Sequence, residues 1–345
     1  MRCTFKYFMF IAALCLFLGL PLGLSTAATA QVITERITVH SPSIAGNLEG
    51  NSPDRKVIVY LPADYHSHPD KRYPVLYALH GYSINNEIWT KEINTPQSID
   101  NAYAAGVKGM IIVLPDSQTV HNGSMYSNSV TTGNWEGFIT KDLITYIDAN
   151  YRTLATRESR GLAGHSMGGY GTLRIGMKYP EYFAAIYSLS PCCLSARQTP
   201  PEDVLNRLKA VTTPAQSPSL SFWERATMAS AAAWSPNPSK APLYFDLPTG
   251  NPEADHALLA RWAANAPLAM IDQYVPNLKT YKAIAIDMGD KDGLKTDSDA
   301  YHQALTTYGI THTYDIYDGN HVNRLPDRLQ NHVLPFFGKH LKFAD

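Results

Sequence analysis

The stretch Gly161-Leu162-Ala163-Gly164-His165-Ser166-Met167-Gly168-Gly169 decides how the rest of the chain is read. Small and apolar residues lead into Gly-x-Ser-x-Gly, and a helical pattern continues from Met167 to Lys178. That order predicts a strand, a sharp turn with Ser166 at its apex and then a helix, the context a nucleophile elbow requires. Such a turn brings the chain so close to itself that positions 164 and 168 accept only glycine. Gly-x-Ser-x-Gly also arises by chance, so its meaning depends on what the other loops supply.

On either side of the elbow, strands and helices alternate. Residues 34–46 and 55–62 read as opening strands, joined as a hairpin through the turn residues Asn51-Ser52-Pro53-Asp54. Tyr73–Leu79 and Met110–Leu114 are continuous apolar runs, as in strands covered on both faces. A helical stretch lies between them near Ile99–Ala105. Phe138–Asn150 carries Ile139, Leu143, Ile144 and Ile147 at helical spacing, which predicts a helix packed on the core. After the elbow come a strand over Phe183–Leu189, another at Ala283–Met288, a helix over Asp297–Tyr308, a strand over Thr311–Tyr317 and a closing helix over Leu325–Leu341. This alternation predicts an α/β fold: a mostly parallel sheet with helices on both faces and an antiparallel edge. Residues 195–278 break the rhythm. They are rich in Pro, Ala and Ser, with short helical stretches near 202–210 and 255–265, and read as a cap-like insertion over the strand ends.

Residues 1–30 have the form of a secretory signal peptide: Arg2 and Lys6, an apolar run from Phe8 to Leu22, and small residues at Ala27-Ala28-Thr29-Ala30. The α/β domain is then 31–345, in a secreted or periplasmic protein with no stable membrane association after cleavage. Removing the leader moves the formal net charge from −1 to −3, near neutral, which argues against nucleic acid as a partner. Cys3 and Cys15 leave with the leader, and Cys192 and Cys193 remain. Adjacent cysteines bridge only in a strained ring, so two buried free thiols are expected. Two cysteines offer neither a disulfide framework nor zinc spacing.

In a parallel sheet, reactive groups collect in the loops beyond the carboxyl ends of the strands. His80-Gly81-Tyr82 follows the third strand, where acyl-transfer sites of this architecture take one oxyanion-binding N–H; the other comes from the residue after the nucleophile. Those donors are Tyr82 and Met167. The alternative for His80-Gly81 is a strand-ending turn with a packed histidine. Gly289-Asp290-Lys291-Asp292 follows the late strand, and Asp292, with Asp290 as second choice, is the expected acid. Asp290, Asp292, Asp297 and Asp299 cluster as calcium ligands could, but the EF-hand pattern fails, since it would put Met288 at the first ligand position, and no metal is expected. Gly319-Asn320-His321 follows the last strand and supplies the base. His165 should point away from the apex, and His332 and His340 should lie on the surface of the closing helix. The order Ser166, Asp292, His321 matches the serine–acid–histidine order of α/β-hydrolases. Trp89 could line an acyl pocket. Trp135 either touches substrate or anchors the polar 116–135 loop, whose length marks it as functional or disordered.

Gly123-Ser124-Met125-Tyr126, Asn134-Trp135-Glu136, Ser159 through Gly171 and Gly319-Asn320-His321 resemble the putative-esterase family. That family groups S-formylglutathione hydrolase (esterase D), feruloyl and acetylxylan esterases, and mycolyltransferases. The resemblance runs from about residue 55 to the C-terminus. It implies an α/β-hydrolase fold, with Ser166, Asp292 and His321 as nucleophile, acid and base, and Tyr82 and Met167 at the oxyanion site. Compact members lack a 195–278 insertion, and a leader argues against cytosolic formaldehyde detoxification. The expected function is cofactor-free hydrolysis of a small-molecule or carbohydrate-linked ester through an acyl-enzyme on Ser166. An acyltransferase using the same triad on a sugar or other alcohol is the alternative, followed by a non-catalytic binding protein on the same scaffold.

Overall fold

The computed structural model describes residues 1–2 and 31–344, so the leader expected at 1–30 lies almost wholly outside the described residues. Eight strands among the described residues form one sheet: β1 (Ile33–His40), β2 (Asp54–Leu61), β3 (Val75–Leu79), β4 (Ile111–Pro115), β5 (Arg160–His165), β6 (Ala185–Leu189), β7 (Ala283–Gly289) and β8 (Thr313–Tyr317). Their spatial order is β1-β2-β4-β3-β5-β6-β7-β8. β2 runs antiparallel to β1 and to β4, and every pairing from β4 through β8 is parallel.

Side chains alternate across a strand, so each buried strand feeds two cores. In β2, Val57, Val59 and Leu61 face one core while Ile58 and Tyr60 face the other. The first core takes in the elbow helix Met167–Lys178 and the helical segment after Asn134. The second is closed by Leu325, Leu329, Val333 and Phe337 of the C-terminal helical segment. The register pairs Leu79 with Gly164 and His165 with Leu189, which brings the carboxyl ends of β3, β5 and β6 together at one edge.

The helix expected over Phe138–Asn150 begins three residues earlier. The Asn134 side chain accepts the Gly137 N–H at 2.8 Å, a cap on Trp135–Gly137, and a π-type turn over Phe138–Leu143 leads into Ile144–Asn150. The closing helix has a similar π-type turn at Leu329–Val333.

Residues 31–345 form one compact unit, with 195–278 included. The expected helices near 202–210 and 255–265 are Glu202–Ala210 and Pro252–Ala263. Between them lies a 13-residue helix, Phe222–Trp234, that periodicity does not reveal. Its Met228, Ala231, Ala232 and Trp234 belong to the same core as the elbow helix, and Trp234 Nε1 donates to Ser127 Oγ at 3.1 Å. A helix buried on nearly all sides has no polar face to give it a period.

Candidate active site

Ser166 sits between β5 and the elbow helix with φ 57° and ψ −113°, a backbone conformation that L-residues rarely adopt. Two close approaches hold it there. A Cβ on Gly168 would stand 2.0 Å from the Leu79 carbonyl oxygen, and one on Gly164 would stand 2.3 Å from that of Gly168. The elbow helix is thus pressed onto the ends of β3 and β5, and Ser166 Oγ is presented to the loops beyond them.

Those loops deliver a continuous hydrogen-bonded chain. His321 Nε2 lies 2.9 Å from Ser166 Oγ, and His321 Nδ1 lies 2.8 Å from Asp292 Oδ2. The other Asp292 oxygen accepts the Leu294 N–H at 2.9 Å. The Asp292 side chain is 1% exposed, whereas a third of His321 (34%) remains open to solvent. Burial works to raise the Asp292 pKa, but the hydrogen bonds from His321 and the Leu294 N–H outweigh it and hold the carboxyl below its ordinary range. Asp290, the second choice, is 44% exposed on its side chain and instead accepts the Gly319 N–H at 2.9 Å. Asp297 accepts from Ser195, and Asp299 pairs with Lys295 and Tyr314. Among the described residues no three His, Cys, Asp or Glu side chains are grouped for a metal ion.

Tyr82 and Met167 flank Ser166 in a cavity of about 370 Å³. Met167 opens the elbow helix, so its N–H has no carbonyl four residues back within the helix to bond. The Gly81–Tyr82 peptide is held by His80, whose Nδ1–H donates to the Gly81 carbonyl at 2.8 Å while its Nε2 accepts the Ser117 N–H at 2.9 Å. Carbonyl and N–H point in opposite directions across a trans peptide, so fixing the Gly81 carbonyl aims the Tyr82 N–H away from His80. Gly81 itself passes close to the elbow: a Cβ there would lie 3.5 Å from the Ser166 Cβ. The sequence left His80 open between a packed residue and part of the site; it is fully buried and orients this peptide.

For the cavity, Trp89 needs correction, and Trp135 takes the anchoring alternative rather than substrate contact. Trp135 is fully buried, donates Nε1–H to the Thr132 carbonyl at 3.0 Å and packs edge-on against Phe138. Trp89 lies in the second core, because the short helix Asn86–Glu92 turns Asn86, Trp89 and Thr90 inward. Neither lines the cavity. Its aromatic wall comes instead from Tyr82 and from Phe222 and Trp223 at the start of the Phe222–Trp234 helix. Cys192 and Cys193 are free thiols as expected, but only partly buried, and both line the same cavity. His165 does point away from the apex: its Nε2 donates to the His321 carbonyl. His332 and His340 are half-buried rather than fully at the surface.

An eight-stranded, mostly parallel sheet with antiparallel β2, a strained serine between strand and helix, and an acid and a histidine on the loops after β7 and β8 define an α/β-hydrolase. A family model described as "Putative esterase" matches residues 51–325, and the chain belongs to that family. Among curated proteins, Esterase Rv1288 of Mycobacterium tuberculosis is 39% identical over 138 residues, which cover 39% of this chain and 28% of that protein. An endo-1,4-beta-xylanase/feruloyl esterase of Xylanibacter ruminicola is 34% identical over 129 residues, covering 36% of this chain and 18% of that protein. The chain thus spans under a third of the length of these curated relatives. The solved structure of a ferulic acid esterase superposes with a TM-score of 0.65 at 23% identity, over 90% of this chain and 99% of the other. That likeness is one of fold.

Proposed function

We propose that the chain is a serine carboxylic-ester hydrolase that works through an acyl-enzyme on Ser166. The observation that carries this reading is the unbroken contact from Asp292 through His321 to Ser166 Oγ, at 2.8 and 2.9 Å. His321 Nε2 takes the Ser166 proton as Oγ attacks the ester carbonyl. Asp292, held ionised, keeps Nδ1 protonated and stabilises the imidazolium that forms. The Tyr82 and Met167 N–H groups receive the developing oxyanion. Collapse of the tetrahedral intermediate expels the alcohol, which takes the proton from His321. Water, deprotonated by the same histidine, then adds to the acyl-enzyme and releases the acid.

Family membership supports ester hydrolysis as the reaction, and the mostly apolar cavity wall supports an ester with an apolar or aromatic body. Residues 195–278 act as a cap, since Phe222, Trp223 and Ala226 form one wall of the cavity. Work outside the cytoplasm rests on the leader-like sequence of residues 1–30.

Ser166→Ala should lower kcat on an activated aryl ester by about 10⁴-fold or more, and should abolish labelling by a fluorophosphonate. Ester hydrolysis that persists unchanged in this variant would overturn the reading.

A further inference from the structure

Arg197 is half-buried and differs from the four buried arginines among the described residues. Arg55, Arg160, Arg174 and Arg328 each face a carboxylate: Asp116, Asp148, Glu136 and Asp287 respectively. Among the described residues Arg197 has no carboxylate within ion-pair distance. Its contacts are the Cys193 sulfur, 3.5 Å from Nη2, and the face of Trp234, 5.5 Å from the guanidinium carbon. Its Nε is buried without a hydrogen-bond partner. The side chain nevertheless lines the cavity that holds Ser166 and His321, and the remaining wall is largely apolar: Met125, Met167, Phe222, Trp223 and Leu294.

A guanidinium is charged at any working pH and is costly to hold away from water without an anion. A guanidinium in the lining of an otherwise apolar cavity matches a planar carboxylate. The position is close to the chemistry: Arg197 touches Cys193, and the adjacent Cys192 N–H donates to the Ser166 carbonyl at 3.2 Å. We propose that Arg197 makes this cavity a receptor for esters that carry a carboxylate, pairing with that carboxylate while Ser166 attacks the ester carbonyl. The proposal rests on Ser166 as nucleophile. The carboxylate can sit on the acyl chain or on the alcohol, and the two cases are separable. Cys193 is the rival anion, because its thiol is pushed down by the hydrogen bond with Cys192 and, further, by Arg197 itself.

The test compares kcat/KM on two matched pairs, in the wild-type chain and in Arg197→Met. The first pair is the p-nitrophenyl monoester of glutarate and its methyl-capped neutral counterpart, with the charge on the acyl side. The second is 4-acetoxybenzoate and its methyl ester, with the charge on the leaving group. Intrinsic reactivity cancels when each anionic-to-neutral ratio is compared between the two proteins. Arg197→Met should lower the ratio by about tenfold or more in one pair, and that pair locates the carboxylate. Ratios unchanged in both pairs overturn the proposal. Cys193→Ser should retain the wild-type preference; its loss there, with Arg197 intact, would assign the preference to the sulfur and also overturn the proposal. A measurement on the wild type guards against a variant that does not fold. Glutarate should inhibit hydrolysis of a neutral ester more strongly than glutaramide does, and equal inhibition overturns the proposal. Labelling by a neutral fluorophosphonate keeps the two readings apart. Wild-type chain that hydrolyses esters but does not label at Ser166 defeats the nucleophile assignment, whereas labelled chain with unchanged ratios defeats only the role of Arg197.

Discussion

His165 Nε2 donates a hydrogen bond to the main-chain carbonyl of His321 at 2.8 Å, and the two imidazole rings lie 4.7 Å apart between centroids. The residue before Ser166 thus holds the backbone of His321, the base in the proposed mechanism. Because a carbonyl can only accept, His165 carries its proton on Nε2, and its Nδ1 is left buried without a partner. Burial first, and the proximity of His321 second, push its pKa down to about 3, so it stays neutral at working pH. Between pH 6.5 and about 3 the unfolded chain binds a proton here that the folded chain refuses. Stability from this residue is therefore complete above pH 6.5 and is lost as pH falls toward 3, with a limiting slope of about 1.4 kcal/mol per pH unit. Buried Glu49 and Asp287, raised by burial to about 7 and about 6, act with the opposite sign over part of that range. The useful quantity is thus the difference between variant and wild type. In His165→Gln, denaturant unfolding at pH 7 and pH 5 should show a weaker loss of stability on acidification than in wild type. An identical slope in both proteins would contradict this account. With the His321 carbonyl less firmly held, kcat should also fall, by about tenfold.

Asp292 and Asp290 are two residues apart in the sequence and differ sharply in setting. Asp292 is buried against His321, while Asp290 is exposed and ties the β7 loop to Gly319. Asp292→Asn keeps the shape but offers His321 Nδ1 an amide, which allows the wrong tautomer, and kcat should fall by about 10⁴-fold. Asp290→Asn should cost about tenfold or less. Steady-state kinetics on one activated ester separates the two, and a reversed order would make Asp290 the acid.

The elbow's glycines predict a stability effect rather than a kinetic one. A Cβ on Gly168 would meet the Leu79 carbonyl at 2.0 Å, with the His80 carbonyl oxygen at 2.9 Å, and neither is a flexible side chain that can step aside. Gly168→Ala should destabilise the fold by about 3 kcal/mol or more through a forced backbone shift. Thermal unfolding of the purified variant measures this. Gly293→Ala is the contrasting case, because nothing lies within 4 Å of a Cβ there, and it should unfold within a few degrees of wild type.

What the sequence made legible follows from the kind of signal each element carries. Buried parallel strands announce themselves as apolar runs, and loops after strand ends concentrate chemistry, so the neighbourhood of Ser166, Asp292 and His321 could be anticipated from order alone. The Phe222–Trp234 helix was not anticipated, because its Ala-Ser-Ala-Ala-Ala run is buried on nearly all sides and shows no period. A signal was present all the same: Ser221 and Glu224 form a capping box, the Glu224 carboxylate accepting both the Ser221 N–H at 2.9 Å and its hydroxyl at 2.7 Å. The positioning roles of His80 and His165 depend on contacts across the fold, to Ser117 and to His321, which spacing along the chain does not encode. Aromatic residues misled for the same reason, since a tryptophan near a catalytic loop can face the core or the cavity with no change in pattern.

Trp135 and Trp223 turn that last point into an experiment. Trp135 is fully buried beneath the 116–135 loop, with the Arg55 guanidinium 4.9 Å from its ring centroid. Trp223 is 70% exposed at the cavity wall, in edge contact with Phe222, which itself meets Tyr82 edge-on. Truncating Trp135 to alanine leaves a large void in the core and should cost about 3–5 kcal/mol of stability. Truncating Trp223 removes exposed surface at the cavity wall, which the proposed ester would cover. Trp223→Ala should therefore leave the unfolding midpoint close to wild type and raise KM for aryl esters several-fold, with a smaller effect on short acetyl esters that do not reach the wall. If Trp223→Ala changed the stability and left KM for aryl esters untouched, the cavity wall would lie elsewhere, and residues 195–278 would have no part in choosing the substrate.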